Sequence, residues 1–382
     1  MTARTASLRA PTRPDRRRTP LVANVIGTLD RGGAETACLD LCRAVPTSEV
    51  RHVFVTVGGR EGSLAPRFRA AGADVTQCPL HPVPTFAPRL WRTLRALDPD
   101  VVVSHVELIS GLVLLVARTL GVRRRVVRLT SEADNRPDSW RHRLLRRTLR
   151  RLIRSVATDV VGVSEAALRF AGPPGHDPRY RVLPHAVDVA RVDGWDRASA
   201  RRRWGLPDDV PVLAYLGRAA PEKNRPFLID VHREVHRLRP DARLLVAGPG
   251  GVADITAVHP GAAGDPTIVF AGELDEVGSI LAAADALLLP SLREGLPGVL
   301  LEALAVGVPV LGSELPSLRE AARRLLGVET LPLAAGAGRW AERALAAAAT
   351  DAVTRARVGR VLRDSPFLLE TAIPQWRALW GI

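Results

Sequence analysis

A single lysine stands among 54 basic residues, at position 223, in the run Gly217-Arg218-Ala219-Ala220-Pro221-Glu222-Lys223-Asn224. Lysine is a compact charge on a flexible stem, whereas arginine is a planar fork. One of each in a loop ahead of a helix N-terminus suits a diphosphate, because the free helix amides favour the same anion. A second run places two carboxylates, Glu294 and Glu302, eight residues apart in Leu292-Arg293-Glu294-Gly295-Leu296-Pro297-Gly298-Val299-Leu300-Leu301-Glu302-Ala303-Leu304. Glu294 falls in a Gly/Pro loop and Glu302 inside the helix that follows. Free amides at that helix start, around Gly298 and Val299, can hold a phosphate. Glu302, two turns in, has the reach for ribose hydroxyls, and Glu294 for the hydroxyls of a sugar. Arg218 and Lys223 would offset the charge that builds on a departing diphosphate.

These loops need strands to carry them. Asp285 opens an apolar run, Ala286 to Ser291, that reads as a buried parallel strand feeding the glutamate loop. Strands alternate with helical stretches along the whole chain, which predicts doubly wound parallel α/β sheets. Pro99-Asp100 precedes Val101-Val102-Val103 and Pro240-Asp241 precedes Leu244-Leu245-Val246, so one helix–turn–strand unit recurs in each half. With 382 residues, 46% of them apolar, the chain can bury two cores. Val22 to Ile26 reads as a first strand, and Gly27 to Glu35, with Gly32-Gly33, as a loop entering a helix. Ligands gather at the carboxyl ends of such strands. Asp98-Pro99-Asp100, at an amino end, is therefore read as a turn and not as a metal-binding pair, and neither metal nor other cofactor is expected.

Gly-Arg-x4-Lys at Gly217 to Lys223, followed by Pro-Ser-x2-Glu-Gly-x6-Glu at Pro290 to Glu302, resembles the nucleotide-sugar half of the retaining glycosyltransferases of family 4, which have the GT-B fold. Gly32-Gly33-Ala34-Glu35, Val160 to Ser164 and Leu183-Pro184-His185-Ala186-Val187-Asp188 resemble segments of the N-terminal half, so the likeness spans roughly residues 21 to 382. It implies two Rossmann-like domains about a cleft: a tail to residue 20, an acceptor domain over 21–190, a nucleotide-sugar domain over 191–365, and a helix over 366–382 returning to the first domain. It also implies sugar transfer with retention, from a nucleotide-sugar (uridine donors being commonest in the family) to a glycan, lipid-linked or small-molecule acceptor. Gly217, Gly248, Gly298, Val299, Glu302 and the Gly32-Gly33 loop are then donor-site residues, with Arg218, Lys223, Glu294 and His105 at the reacting centre. His105 lies near the transferred sugar by this resemblance, while by its own residues it reads equally as a satisfied histidine at a strand end. The family usually has Asn-Gly where this chain has His185-Ala186. A sugar-nucleotide epimerase of the same fold, which needs no acceptor, and a non-catalytic partner protein are the rival readings.

The net charge of +14 gathers between Arg136 and Arg154, where Leu144, Leu145, Leu149, Leu152 and Ile153 recur at helical spacing. That apolar stripe is expected to face the domain core, and the arginine side either solvent or an anionic membrane surface. Nucleic acid is not expected, because interleaved aromatics are missing. The basic tail reads as disordered, with no apolar segment of a secretory signal behind it. The longest apolar stretch, Leu108 to Ala117, is too short to span a bilayer. Cys38, Cys42 and Cys78 form neither a disulfide framework nor a zinc pattern, so buried thiols in a cytoplasmic protein are expected. Peripheral contact with the inner face of the membrane is the variant that the basic helix would suit.

Overall fold

Valine- and leucine-rich segments buried on both faces are the mark of parallel sheets covered by helices, and the chain builds two of them. The computed structural model describes residues 18–133, 139–173 and 175–382. The tail through residue 17 and Arg136 lie outside the described residues.

The first sheet contains β1 (Leu21–Ile26), β2 (Arg51–Thr56), β3 (Asp74–Gln77), β4 (Val101–Ser104), β5 (Arg124–Leu129), β6 (Asp159–Gly162) and β7 (Tyr180–Val182), in the order β3-β2-β1-β4-β5-β6-β7. The second contains β8 (Val212–Leu216), β9 (Arg243–Ala247), β10 (Ile268–Gly272), β11 (Ala286–Leu289), β12 (Val310–Ser313) and β13 (Val328–Leu331), in the order β10-β9-β8-β11-β12-β13. Every pairing is parallel, for example Val22↔Val101 between β1 and β4 and Leu287↔Ala214 between β11 and β8. In each sheet the winding reverses once, between β1 and β4 and between β8 and β11. Loops leaving those neighbouring strands diverge to opposite faces and leave a crevice at the strands' carboxyl ends. At the amino end, Asp100 accepts the Leu21 amide at 2.8 Å and Asp98 is left-handed at φ 48°, so Asp98-Pro99-Asp100 is a turn that ties β1 to β4.

The chain crosses between domains twice, and the two crossings are stitched together. The Val187 amide donates to Phe367 O at 2.8 Å, and the Leu369 amide to Val187 O at 3.0 Å. Beyond this bridge the helix Leu369–Trp380 lays Trp376, Leu379 and Trp380 against Val22, Val101, Val126 and Val161 of the first sheet. The three cysteines are buried and unpaired.

The basic helix runs from Trp140 to Val156, and its leucine stripe departs from expectation. Ile153 and Val156 are buried and Leu149 and Leu152 pack on the core, yet Trp140, Leu144 and Leu145 are 64%, 57% and 41% exposed. Contact with the domain is made by the C-terminal half, where Leu149 and Leu152 lie over Gly111 of the helix Ser110–Thr119. Among the described residues, no helix is long and apolar enough to cross a membrane.

Candidate active site

The winding reversal of the second sheet places the loops after β8 and β11 side by side, and these carry the two motifs. Hydrogen bonds join them: the Leu292 amide donates to Glu222 O at 2.8 Å, and Asn224, left-handed at φ 52°, donates its side-chain amide to Pro290 O at 3.1 Å. Lys223 is thereby turned onto Glu294, its Nζ donating to Oε1 at 2.6 Å. Ser291 Oγ donates to the same oxygen at 2.7 Å, and Ser317 Oγ to the Glu294 carbonyl at 2.8 Å. Glu294 is buried and fixed from three sides. Arg218, half-exposed, pairs with Glu222 at 2.9 Å and keeps the rest of its fork for the cleft. Gly248 has a structural reason to be glycine: φ is +137°, and a Cβ there would sit 2.1 Å from Gly217 O.

The helix Gly298–Ala305 begins without a side-chain cap. Leu300 bonds back to Pro297 O at 3.2 Å, which leaves the Gly298 and Val299 amides on the cavity wall as donors for an anion. A Cβ on Gly298 would meet nothing within 4 Å. Glu302, further along this helix, is engaged by Arg191, from the domain crossover, at 3.3 Å, and Arg191 also holds Asp40 of the helix Gly33–Ala44 at 3.0 Å. One guanidinium thus bridges two buried carboxylates from different domains. Burial raises both carboxyls above their ordinary range, and Arg191 pulls them only part of the way back.

The opposite wall comes from the first domain. Gly32 and Gly33 open the helix Gly33–Ala44, and Gly33 faces the start of the helix Gly298–Ala305: a Cβ on it would lie 3.9 Å from the Gly298 amide. Thr130, Ser131, Glu35 and His185 complete this side. The domains touch where Gly295 passes Thr130, a Cβ on the glycine being 1.8 Å from Thr130 O. Arg31 reaches across to Glu273 and Asp275, each at 2.9 Å, and Arg67 also pairs with Asp275. The Glu165 amide donates to Glu320 at 2.9 Å on the other flank. An open cleft of about 450 Å³ lies between the walls.

Residues 32–186 match the family described as Glycosyl transferase 4-like domain, and residues 210–352 the one described as Glycosyl transferases group 1. The 2-deoxystreptamine N-acetyl-D-glucosaminyltransferase of Streptomyces fradiae is 32% identical over 364 residues, covering 85% of this chain and 83% of that protein. The chain is a family 4 glycosyltransferase. The capsular polysaccharide biosynthesis glycosyltransferase CapH of Staphylococcus aureus is 22% identical over 289 residues, 74% of this chain and 78% of its own. HepE of Anabaena, solved in complex with UDP and glucose, has the same GT-B fold, with a TM-score of 0.75 at 16% identity over 94% of this chain and 99% of that one.

In this glycosyltransferase, Gly32, Gly33, Gly217, Arg218, Lys223, Gly248, Glu294, Gly298, Val299 and Glu302 all line the one cavity. His105 does not. It follows β4, buried beneath the wall, with Nε2 3.3 Å from Asn24 Oδ1. Burial, then the charge of Arg128 and the neighbouring His185, hold its pKa well below the ordinary histidine value. Sequence reasoning missed Asp40, Thr130, Ser131, His185 and Arg191 on the wall. A signal existed for one residue behind it: Arg128 interrupts the apolar run Val126-Val127-Arg128-Leu129, where a charge is costly unless a site needs it.

Proposed function

We propose that this glycosyltransferase moves a sugar from a nucleoside-diphosphate sugar, a UDP-sugar first among them, to a hydroxyl of a glycan, lipid-linked or small-molecule acceptor, with retention and without a metal ion. The reading is carried by the convergence of Arg218, the Lys223–Glu294 pair and the uncapped start of the helix Gly298–Ala305 on one wall. Arg218, Lys223 and the Gly298 and Val299 amides take the diphosphate, where fixed positive charge meets the charge of the departing phosphate. Glu302 takes the ribose hydroxyls. Glu294, clamped by Lys223 and Ser291, orients the transferred sugar. The acceptor enters along the Gly32-Gly33 side, and its oxygen bonds to the anomeric carbon on the face that the diphosphate leaves. Its proton goes to the departing phosphate oxygen. Closure of the two walls excludes water that would hydrolyse the donor.

UDP-bound HepE and the aminocyclitol-directed relative of Streptomyces fradiae support a nucleotide-sugar donor and keep small-molecule acceptors beside the polysaccharide ones. The exposed Trp140, Leu144 and Leu145 beside Arg141, Arg147 and Arg151 support a peripheral contact between a cytoplasmic enzyme and anionic lipid. The test is turnover of nucleotide-sugars with and without candidate acceptors, in the presence of EDTA, with the product anomer read by NMR. A retained glycoside formed at an unchanged rate in EDTA is the expected product. An epimerised nucleotide-sugar in the absence of acceptor would instead assign the chain to epimerase chemistry.

A further inference from the structure

His185 stands where the family usually has asparagine, and its ring is constrained by something a sequence cannot show. Arg128, 1% exposed and next to last in β5, donates through Nη2 to His185 Nδ1 at 3.3 Å. Its other contacts are Cys38 Sγ at 3.5 Å and the Trp376 ring, 5.1 Å from the guanidinium carbon. Arginine has no acceptor atom and keeps its protons throughout the usable pH range. Nδ1 must therefore be the accepting nitrogen, and the ring proton resides on Nε2. His185 is 4% exposed, Nε2 has no hydrogen-bond partner among the described residues, and the residue lines the cavity facing the donor wall. The result is an N–H without a protein partner among the described residues, on a buried residue that lines the space a substrate would fill.

We propose that His185 is a specificity-determining hydrogen-bond donor of the N-terminal wall: its Nε2–H binds a substrate oxygen, and Arg128 is the positioning residue that fixes its tautomer. This rests on the glycosyltransferase reading of the cavity. The titratable and charged groups near the ring and its partner are Arg128 and His105, with Cys38 bonded to Arg128 and Glu35 acting electrostatically on it. Burial and then Arg128 push the His185 pKa well below the ordinary value. An imidazole whose Nδ1 accepts from a guanidinium is in its neutral form, so Nε2 acts as a donor and not as a proton acceptor. Glutamine carries its amide N–H at the reach of Nε2–H, whereas the shorter asparagine places its amide at the level of Nδ1, so glutamine is the replacement that keeps the donor.

Protein labelled with ¹⁵N-histidine tests this directly. His185 should give the neutral Nε2–H tautomer, unchanged from about pH 5.5 to 8.5, where an ordinary histidine titrates. Its Nε2 resonance should shift on adding UDP-glucose. A shift also produced by UDP alone assigns the oxygen to the diphosphate; a shift needing UDP-glucose assigns it to the sugar; a shift needing acceptor assigns it to the acceptor. His185→Phe should lower kcat/KM roughly three- to tenfold, the worth of one neutral hydrogen bond, and His185→Gln should recover most of that loss. Arg128→Lys, which keeps a donor should the methionine variant fail to fold, should preserve the tautomer, and Arg128→Met should lose it. An Nδ1–H tautomer, titration near pH 6.5, or full activity in a folded His185→Phe enzyme would overturn the proposal. If no nucleotide-sugar binds the wild type, it is the donor assignment that fails, and the tautomer result shows this separately.

Discussion

Arg191→Met removes one charge from a place that holds two of the opposite sign. Side chains of Asp40 and Glu302 are 3% and 12% exposed, and Arg191 is the ion-pair partner of both, at 3.0 and 3.3 Å. Breaking a buried pair by deleting one partner costs about 3–5 kcal/mol, because the remaining charge is left without compensation. With two carboxylates stranded, the upper end of that range is expected at neutral pH, an apparent Tm loss on the order of 10 °C. The loss must depend on pH. Both carboxyls already lie above their ordinary values in the fold, so the native state holds protons that the unfolded chain releases, and stability declines as pH rises through that window. Without Arg191 both rise further. The gap between variant and wild type should therefore widen from about pH 4 toward neutrality and narrow on acidification. Thermal unfolding followed by circular dichroism across that range measures it, and Asp40→Asn added to Arg191→Met should restore part of the stability. A loss that is small, or the same at every pH, would refute the assignment of Arg191 as the interdomain counter-charge.

Lys223→Ala should lower kcat/KM by about 10²–10³-fold, the effect of removing one preorganised charge, with steady-state kinetics as the readout. Gly295→Ala forces a methyl into Thr130 O and should part the domains: nucleotide binding by the C-terminal domain survives in calorimetry, while transfer is lost. Asp275→Ala removes the carboxylate shared by Arg31 and Arg67, which lies at an exposed rim. Stability should change by less than about 1 kcal/mol, but the donor KM should rise and lose salt sensitivity. Leu144→Glu should abolish sedimentation with phosphatidylglycerol vesicles and leave transfer to a soluble acceptor intact.

Much of the fold was legible because its signals are local. Alternating apolar strands and helical stretches give doubly wound sheets, and such sheets have only one kind of place for a ligand. Motifs after β8 and β11 had to meet, since the winding reverses between those strands. What remained hidden depends on distance in sequence. Asp40 and Arg191 are separated by 151 positions, and no spacing rule pairs them. The two histidines illustrate the same limit: His105 drew notice at a strand end but is buried under the wall, while His185 reached the cavity through the path of the crossover. An amphipathic pattern likewise marks the stripe on the helix Trp140–Val156 but cannot tell how much of it the domain covers.

The central claim is that one wall of this cleft grips a nucleoside diphosphate through Lys223. A thermal-shift panel of UDP, GDP, ADP and dTDP against wild type and Lys223→Ala tests it most directly. At about 100 times its Kd, a bound nucleotide adds roughly 2.7 kcal/mol. One nucleotide should stabilise the wild type clearly and the variant hardly at all. Equal stabilisation of both proteins, or none of either by any nucleotide, would contradict the account.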